Sequence, residues 1–286
     1  MKILVTGANG QLGSELSFLS LIHNNFTWIL TDINELDLAD VKNLEFNIAN
    51  IFPDIIINCA AYTNVDKAES EKELANTLNF KAVDIISKWS SVNKKKLIHI
   101  STDYVFDGSS ETPLKEDADT SPINVYGTTK LNGENVCLKN DSSSIIIRTS
   151  WVYSSFGNNF VKTMYTLMKE RESLNIINDQ IGSPTYAKDL AETIINIINY
   201  KDWIPGLYHY SNEGEVSWFD FARSIKNYFG LSTDLYQISS DEYPTAARRP
   251  SYSLLDKSKI KTTFNIKVPS YEDSLGKCIK ILKNEK

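Results

Sequence analysis

Three cysteines in 286 residues are too few to build a disulfide framework. Cys59, Cys137 and Cys278 also stand far apart, without metal-ligand spacing, and this points to a reducing cytoplasm. Histidine is equally scarce. His23, His99 and His209 form neither a metal cluster nor a nucleophilic triad, and each is expected to be structural. Basic charge is not in excess: 30 Lys and Arg face 36 Asp and Glu, a net charge of −6. A broad nucleic-acid surface is therefore excluded, although a single cleft could still hold a phosphate. No run reaches the roughly 18 apolar residues of a membrane span. Met1 leads straight into a strand-like run, so no signal peptide is expected. No internal repeat or low-complexity linker interrupts the chain.

What is present is a long alternation of apolar runs and helical stretches. The hydrophobic content of 42% and charged content of 23% are ordinary for a globular protein of this size. Lys2 to Thr6 reads as a buried strand, followed by a glycine-rich turn and a helix from about Gln11. Thr27 to Thr31 is a second strand, ending at Asp32. Further strands are expected at Asp54 to Asn58, Lys96 to Ser101 and Ile145 to Arg148, with helices between them at Glu71 to Asn93 and Pro122 to Leu138. Continuous apolar runs mark strands buried on both faces. The expected fold is α/β, a Rossmann-type doubly wound parallel sheet. Residues 1–150 form its dinucleotide-binding domain. Residues 151–286 form mainly a smaller C-terminal α/β substrate domain, with some segments returning to the sheet. Its helices are expected at Asn159 to Arg171, Ala187 to Tyr200 and Ser217 to Phe229, with a late strand at Gly206 to Tyr210.

Two patterns carry chemistry. The first is Gly7-x-x-Gly10-x-x-Gly13 between a strand and a helix, with Asn9, Gln11 and Leu12 inside it. Glycines there make a tight turn, admit a pyrophosphate and let helix and strand pack closely. Asp32, about 20 residues further on, suits a ribose 2′-hydroxyl, and no arginine follows it to receive a 2′-phosphate. NADH is therefore favoured over NADPH. Asp37 and Leu38 fall where the adenine end is contacted. Ala60, Ala61 and Tyr62 follow the third strand, where small residues let backbone approach a cofactor.

The second pattern is Tyr126-Gly127-Thr128-Thr129-Lys130, a phenol and an ammonium on one helical face. A neighbouring ammonium is expected to lower the phenol's pKa and fit it for proton transfer. Thr102 ends a strand at the ligand-binding edge of the sheet and offers a hydroxyl to the same reacting oxygen.

With these residues the chain resembles the extended short-chain dehydrogenases/reductases, and within them the dTDP-4-dehydrorhamnose reductase family. The distinctive stretches are Asn58 to Glu69, Ser101 to Gly108, Arg148 to Tyr153, Ile177 to Gln180 and Ala246 to Pro250. The resemblance implies NAD(P)H-dependent reduction of the C4 ketone of dTDP-4-dehydro-L-rhamnose. Tyr126 would be the proton donor, Lys130 its tuner and a ribose ligand, and Thr102 the carbonyl partner. Thr102, Asp103 and Trp151 would contact the sugar, and Arg248 and Arg249 the diphosphate. Some relatives dimerise around magnesium held by carboxylates. Glu15 is present here, but Lys188 stands where a second acid is expected, with Asp189 beside it. The expectation is therefore no metal site, a monomer or metal-independent homodimer, and Glu15 as an ordinary exposed helix acid. Two rival readings are an epimerase or dehydratase of the same superfamily, and a non-catalytic regulatory subunit.

Overall fold

Lys2–Thr6 (β1) has four buried residues in a row and occupies the interior of a six-stranded sheet. Its companions are Thr27–Thr31 (β2), Ile55–Asn58 (β3), Lys96–Thr102 (β4), Ile145–Thr149 (β5) and the late strand Gly206–His209. The order is late strand–β5–β4–β3–β1–β2, and every neighbouring pair is parallel. The computed structural model describes residues 1–284.

The apolar runs follow from burial on both faces. Gln11–Ser20 (α1) and the helix Ala187–Asn199 cover one face, where Ile3, Val5, Leu16 and Ile194 meet. The helices Leu44–Ile51, Ala82–Val92 and Val125–Asn140 cover the other, against Leu4, Ile56, Leu97 and Ile146. The chain runs from β1 outward to β2, then crosses back to β3 on the opposite side of β1. Loops leaving the C-terminal ends of β1 and β3 therefore diverge, which opens a crevice at the edge where ligands bind in such sheets.

A second core lies in the later half, built from the helices Phe160–Glu170, Trp218–Phe229 and Tyr271–Asn284. Ser217 caps the second of these through a reciprocal capping box with Asp220. Chain order and packing part company here. The helix Ala187–Asn199, the late strand and the helix Ser258–Phe264 contribute to the first core, although all lie beyond residue 150.

The sequence reading did not anticipate the parallel pair Ser173–Ile177 with Asp234–Ile238. Ser173–Ile177 alternates buried and exposed residues, and Asp234–Ile238 has none buried, so neither shows a continuous apolar run. It also passed over the helix Leu44–Ile51. His99 and His209 are fully buried within the sheet. No helix among the described residues is long and apolar enough to cross a membrane.

Candidate active site

A cleft of about 920 Å³ opens where β1 and β3 diverge. Its floor is the glycine turn. Gly7 adopts φ +67°, and the Gly10 N–H closes the turn onto the Gly7 carbonyl at 3.0 Å. A Cβ on Gly13 would lie 2.1 Å from the Gly7 carbonyl oxygen, so only glycine permits this approach. Helix α1 then starts with no side-chain cap and no acid in its first turn. Free N–H groups and the positive end of the helix dipole face the cleft, which is the donor set a pyrophosphate needs.

Asp32 lies at the rim of this floor. Its carboxylate accepts the N–H groups of Asn9 and Ile33, each at 2.8 Å, so it also braces the turn. Asp37, Leu38, Ala60 and Ala61 lie on the wall, as the sequence reading expected. Tyr62 does not. Its hydroxyl donates to Glu71 at 2.7 Å and its N–H to Asn79 at 2.8 Å, while Thr63 stands on the wall instead. The apolar stretch of wall formed by Ile33, Leu74 and Leu78 was missed. Ile33 carried a signal, being a large apolar residue left exposed at a strand end.

Tyr126, Lys130 and Thr102 meet on the opposite wall. Asn124 caps the helix by accepting the Gly127 N–H at 2.7 Å, and this fixes where Tyr126 enters the cleft. The Tyr126 phenol faces Thr102, whose hydroxyl reaches Asp103 at 3.1 Å. Burial pushes the phenol up to about 12, against the lowering effect of the Thr102 hydroxyl. The expected lowering by Lys130 is not what the geometry gives. The Lys130 ammonium turns down to the Ile100 carbonyl at 2.6 Å, and burial lowers its own pKa to about 8. At neutral pH the phenol holds its proton, which is the state a proton donor requires. Burial also raises the Asp103 carboxyl to about 6.

Trp151 lies on the wall in a left-handed backbone conformation, φ 48°. Trp218 stacks on its ring at 3.6 Å and 8°. Gly182 packs against the ring as well, a Cβ there lying 3.0 Å from Trp151 Cε2 and Cζ2, so a sugar would meet the edge. Gln11 joins the two cores: it donates to the Val152 carbonyl at 3.2 Å and accepts from Asn159 at 3.0 Å. No periodicity could reveal that contact, because it links residues 148 apart.

Two expectations need correction. Arg248 and Arg249 do not line the cleft. Arg248 is exposed, while Arg249 grips Asp66 with contacts of 2.7 and 3.2 Å, so a carboxylate takes the fork expected to meet phosphate. Glu15 is not exposed either. It is buried at 3% accessibility, accepts the Ser154 hydroxyl at 2.5 Å, and has its pKa raised by desolvation. The turn of α1 that carries Glu15 faces the second half of the chain rather than solvent.

The cleft and its hydroxyl–phenol–ammonium wall define a Rossmann-type oxidoreductase that works with a nicotinamide cofactor. The sequence matches the family described as RmlD substrate binding domain over residues 1–284. It is 38% identical to a dTDP-4-dehydrorhamnose reductase of Aggregatibacter actinomycetemcomitans, covering 96% of this chain and 97% of that one. A crystal structure of such a reductase from Clostridium acetobutylicum superposes with a TM-score of 0.94 at 37% identity, covering 99% of this chain and 100% of that chain. Another, from Bacillus anthracis in complex with NADP, gives 0.93 at 38% identity, covering 98% and 99%. The chain belongs to the dTDP-4-dehydrorhamnose reductase family.

Proposed function

We propose that this protein reduces the C4 ketone of dTDP-4-dehydro-L-rhamnose to give dTDP-L-rhamnose. The observation that carries the reading is the Thr102–Tyr126 hydroxyl pair, set across one cleft from the uncapped start of α1. A reduced nicotinamide, when bound, supplies the hydride. Tyr126 then gives its proton to the oxygen that was the ketone, and Thr102 donates to or accepts from the same oxygen. Lys130 is buried beside the cofactor path and serves the ribose hydroxyls. The N–H groups of Gln11 and Leu12 hold the pyrophosphate, with Gly10 leaving room for its approach, and Asp103 and the edge of Trp151 orient the sugar. Orientation of this kind replaces a bimolecular encounter and supplies much of the rate.

The test is loss of absorbance at 340 nm when protein, NADH or NADPH and the dTDP-4-keto sugar are mixed, with dTDP-L-rhamnose as product. An epimerase or dehydratase would convert its substrate without net cofactor consumption, and a regulatory subunit would do neither.

Asp32 also bears on cofactor choice. Its charge stands at the ribose end, and Lys130, at the other end of the cleft, is the sole lysine or arginine on the wall among the described residues. Nothing there neutralises a 2′-phosphate, so kcat/KM is expected to be higher with NADH than with NADPH. A strong preference for NADPH would overturn this reading.

We read the chain further as independent of divalent metal. The Lys188 charge acts on Glu15 against the larger raising effect of burial, while its nitrogen lies 6.0 Å from the Phe18 ring centre. A cation so placed repels a second one. EDTA is expected to change neither turnover nor sedimentation; loss of either, restored by magnesium, would show the opposite.

A further inference from the structure

Tyr126, Lys130 and Glu134 follow one another at four-residue intervals along one face of the helix Val125–Asn140. All three are buried, Glu134 to 1% accessibility. A buried carboxylate needs a partner, and Arg148 provides it. Its Nε donates to Glu134 at 2.9 and 3.1 Å, and its Nη2 at 2.7 Å.

Arg148 is itself tied on every side. It sits on β5, opposite Ser101 on β4, one position before the register partners Thr102 and Thr149. Its guanidinium lies 5.0 Å above the Phe106 ring, just beyond the turn that follows Thr102. Its Nη1 reaches His209 Nε2 at 3.4 Å, on the late strand. His209 Nδ1 lies 3.0 Å from the Leu114 carbonyl, so Nδ1 carries the proton and Nε2 accepts. Burial and the Arg148 charge keep that imidazole neutral.

The ion pair thus fastens the helix bearing Tyr126 to the strands bearing Thr102. We propose that Glu134, clamped by Arg148, is a positioning residue for the reduction: it sets the Tyr126–Lys130 face against Thr102 and keeps the Lys130 ammonium charged. This rests on the reductase reading above.

The groups around Lys130 leave that second role to Glu134. From the sheet, the Cys59 thiol is pushed up to about 12 and stays neutral, and burial keeps His99 neutral. From its own helix, Tyr126 holds its proton. Asp103 faces the Tyr126 phenol, and Arg148 is spent on Glu134. The carboxylate one turn away therefore opposes the burial that would strip Lys130 of its proton.

The experiment compares wild type, Glu134→Gln, Glu134→Asp and the double variant Glu134→Gln with Arg148→Met. Read-outs are kcat and kcat/KM for NADH against pH, NADH affinity by fluorescence, and the unfolding midpoint. Lys130 serves the ribose hydroxyls in its charged form, so losing the Glu134 charge moves the alkaline fall in kcat/KM for NADH toward lower pH. Above that limb kcat/KM for NADH is expected to fall roughly tenfold. Glu134→Gln strands a buried guanidinium and also lowers the unfolding midpoint. The double variant removes both charges and recovers the midpoint but keeps the displaced limb. Glu134→Asp retains the wild-type limb with lower kcat. A double variant with wild-type limb and kcat would show that the pair is packing alone. If the glutamine variants do not fold, a displaced limb in Glu134→Asp overturns the proposal and an unmoved limb with reduced kcat supports it. Wild type inactive toward the keto sugar would instead defeat the reductase reading.

Discussion

Tyr126→Phe is expected to lower turnover by about 10²–10⁴-fold, the usual worth of a positioned acid, with cofactor affinity close to wild type. The phenol is buried, its pKa near 12, and Thr102 stands beside it. It therefore enters the reaction protonated and gives that proton only to a stronger base, which the developing alkoxide is. Phenylalanine keeps the ring and its edge contact with Tyr104, 5.6 Å between centroids. Thr102 retains Asp103 as a partner, so no buried hydroxyl is left alone. Stability should change by less than about 1.5 kcal/mol. The check is kcat at saturating NADH beside the unfolding midpoint. Near wild-type turnover would remove Tyr126 from the proton-donating role.

The second large effect is at the other end of the cleft. Gly13→Ala places a methyl 2.1 Å from the Gly7 carbonyl oxygen and 2.6 Å from the Ala8 Cα, both backbone atoms with no rotamer to yield. Relief requires α1 to move away from the end of β1. The free N–H groups at the helix start then leave the pyrophosphate position together. The expected cost is about 1–3 kcal/mol of stability, as for other overpacked sites. Cofactor affinity should fall by at least about tenfold, since several hydrogen bonds to charged oxygens, each worth about 1.5–3 kcal/mol, are disturbed at once. NADH titration followed by fluorescence measures it. Unchanged affinity would mean that the turn tolerates a Cβ and that its geometry is not what holds the cofactor.

Much of the sheet was legible because parallel strands are buried on both faces. Ile55-Ile56-Ile57 and Ile145-Ile146-Ile147 can be little else once glycine turns and helical stretches flank them. The glycine turn at the cleft floor was legible for a similar reason: Gly7 and Gly13 answer local backbone demands that sequence spacing records. The pair Ser173–Ile177 with Asp234–Ile238 was not, since strands covered on one face or neither give no continuous apolar run.

At the site, helical geometry placed Tyr126 and Lys130 on one face, but not the direction of the ammonium. That was decided by the Ile100 carbonyl, on a strand 30 residues earlier. Arg249 failed as an expected cleft residue for the same kind of reason. Asp66, 183 positions away, satisfies its fork. Glu15 looked like a surface acid because spacing along α1 could not show that Ser154 lies over it. Contacts between distant segments decided each of these outcomes.

The central claim is net hydride delivery to the sugar's C4, and isotope transfer tests it most directly. NADH deuterated at C4 of the nicotinamide, on each face in turn, is incubated with protein and dTDP-4-dehydro-L-rhamnose, and the product is read by NMR. The account predicts one deuterium at C4 of dTDP-L-rhamnose from one of the two labelled cofactors, with one NADH consumed per product formed. Sugar conversion without cofactor consumption, or label absent from C4 with both cofactors, would contradict it.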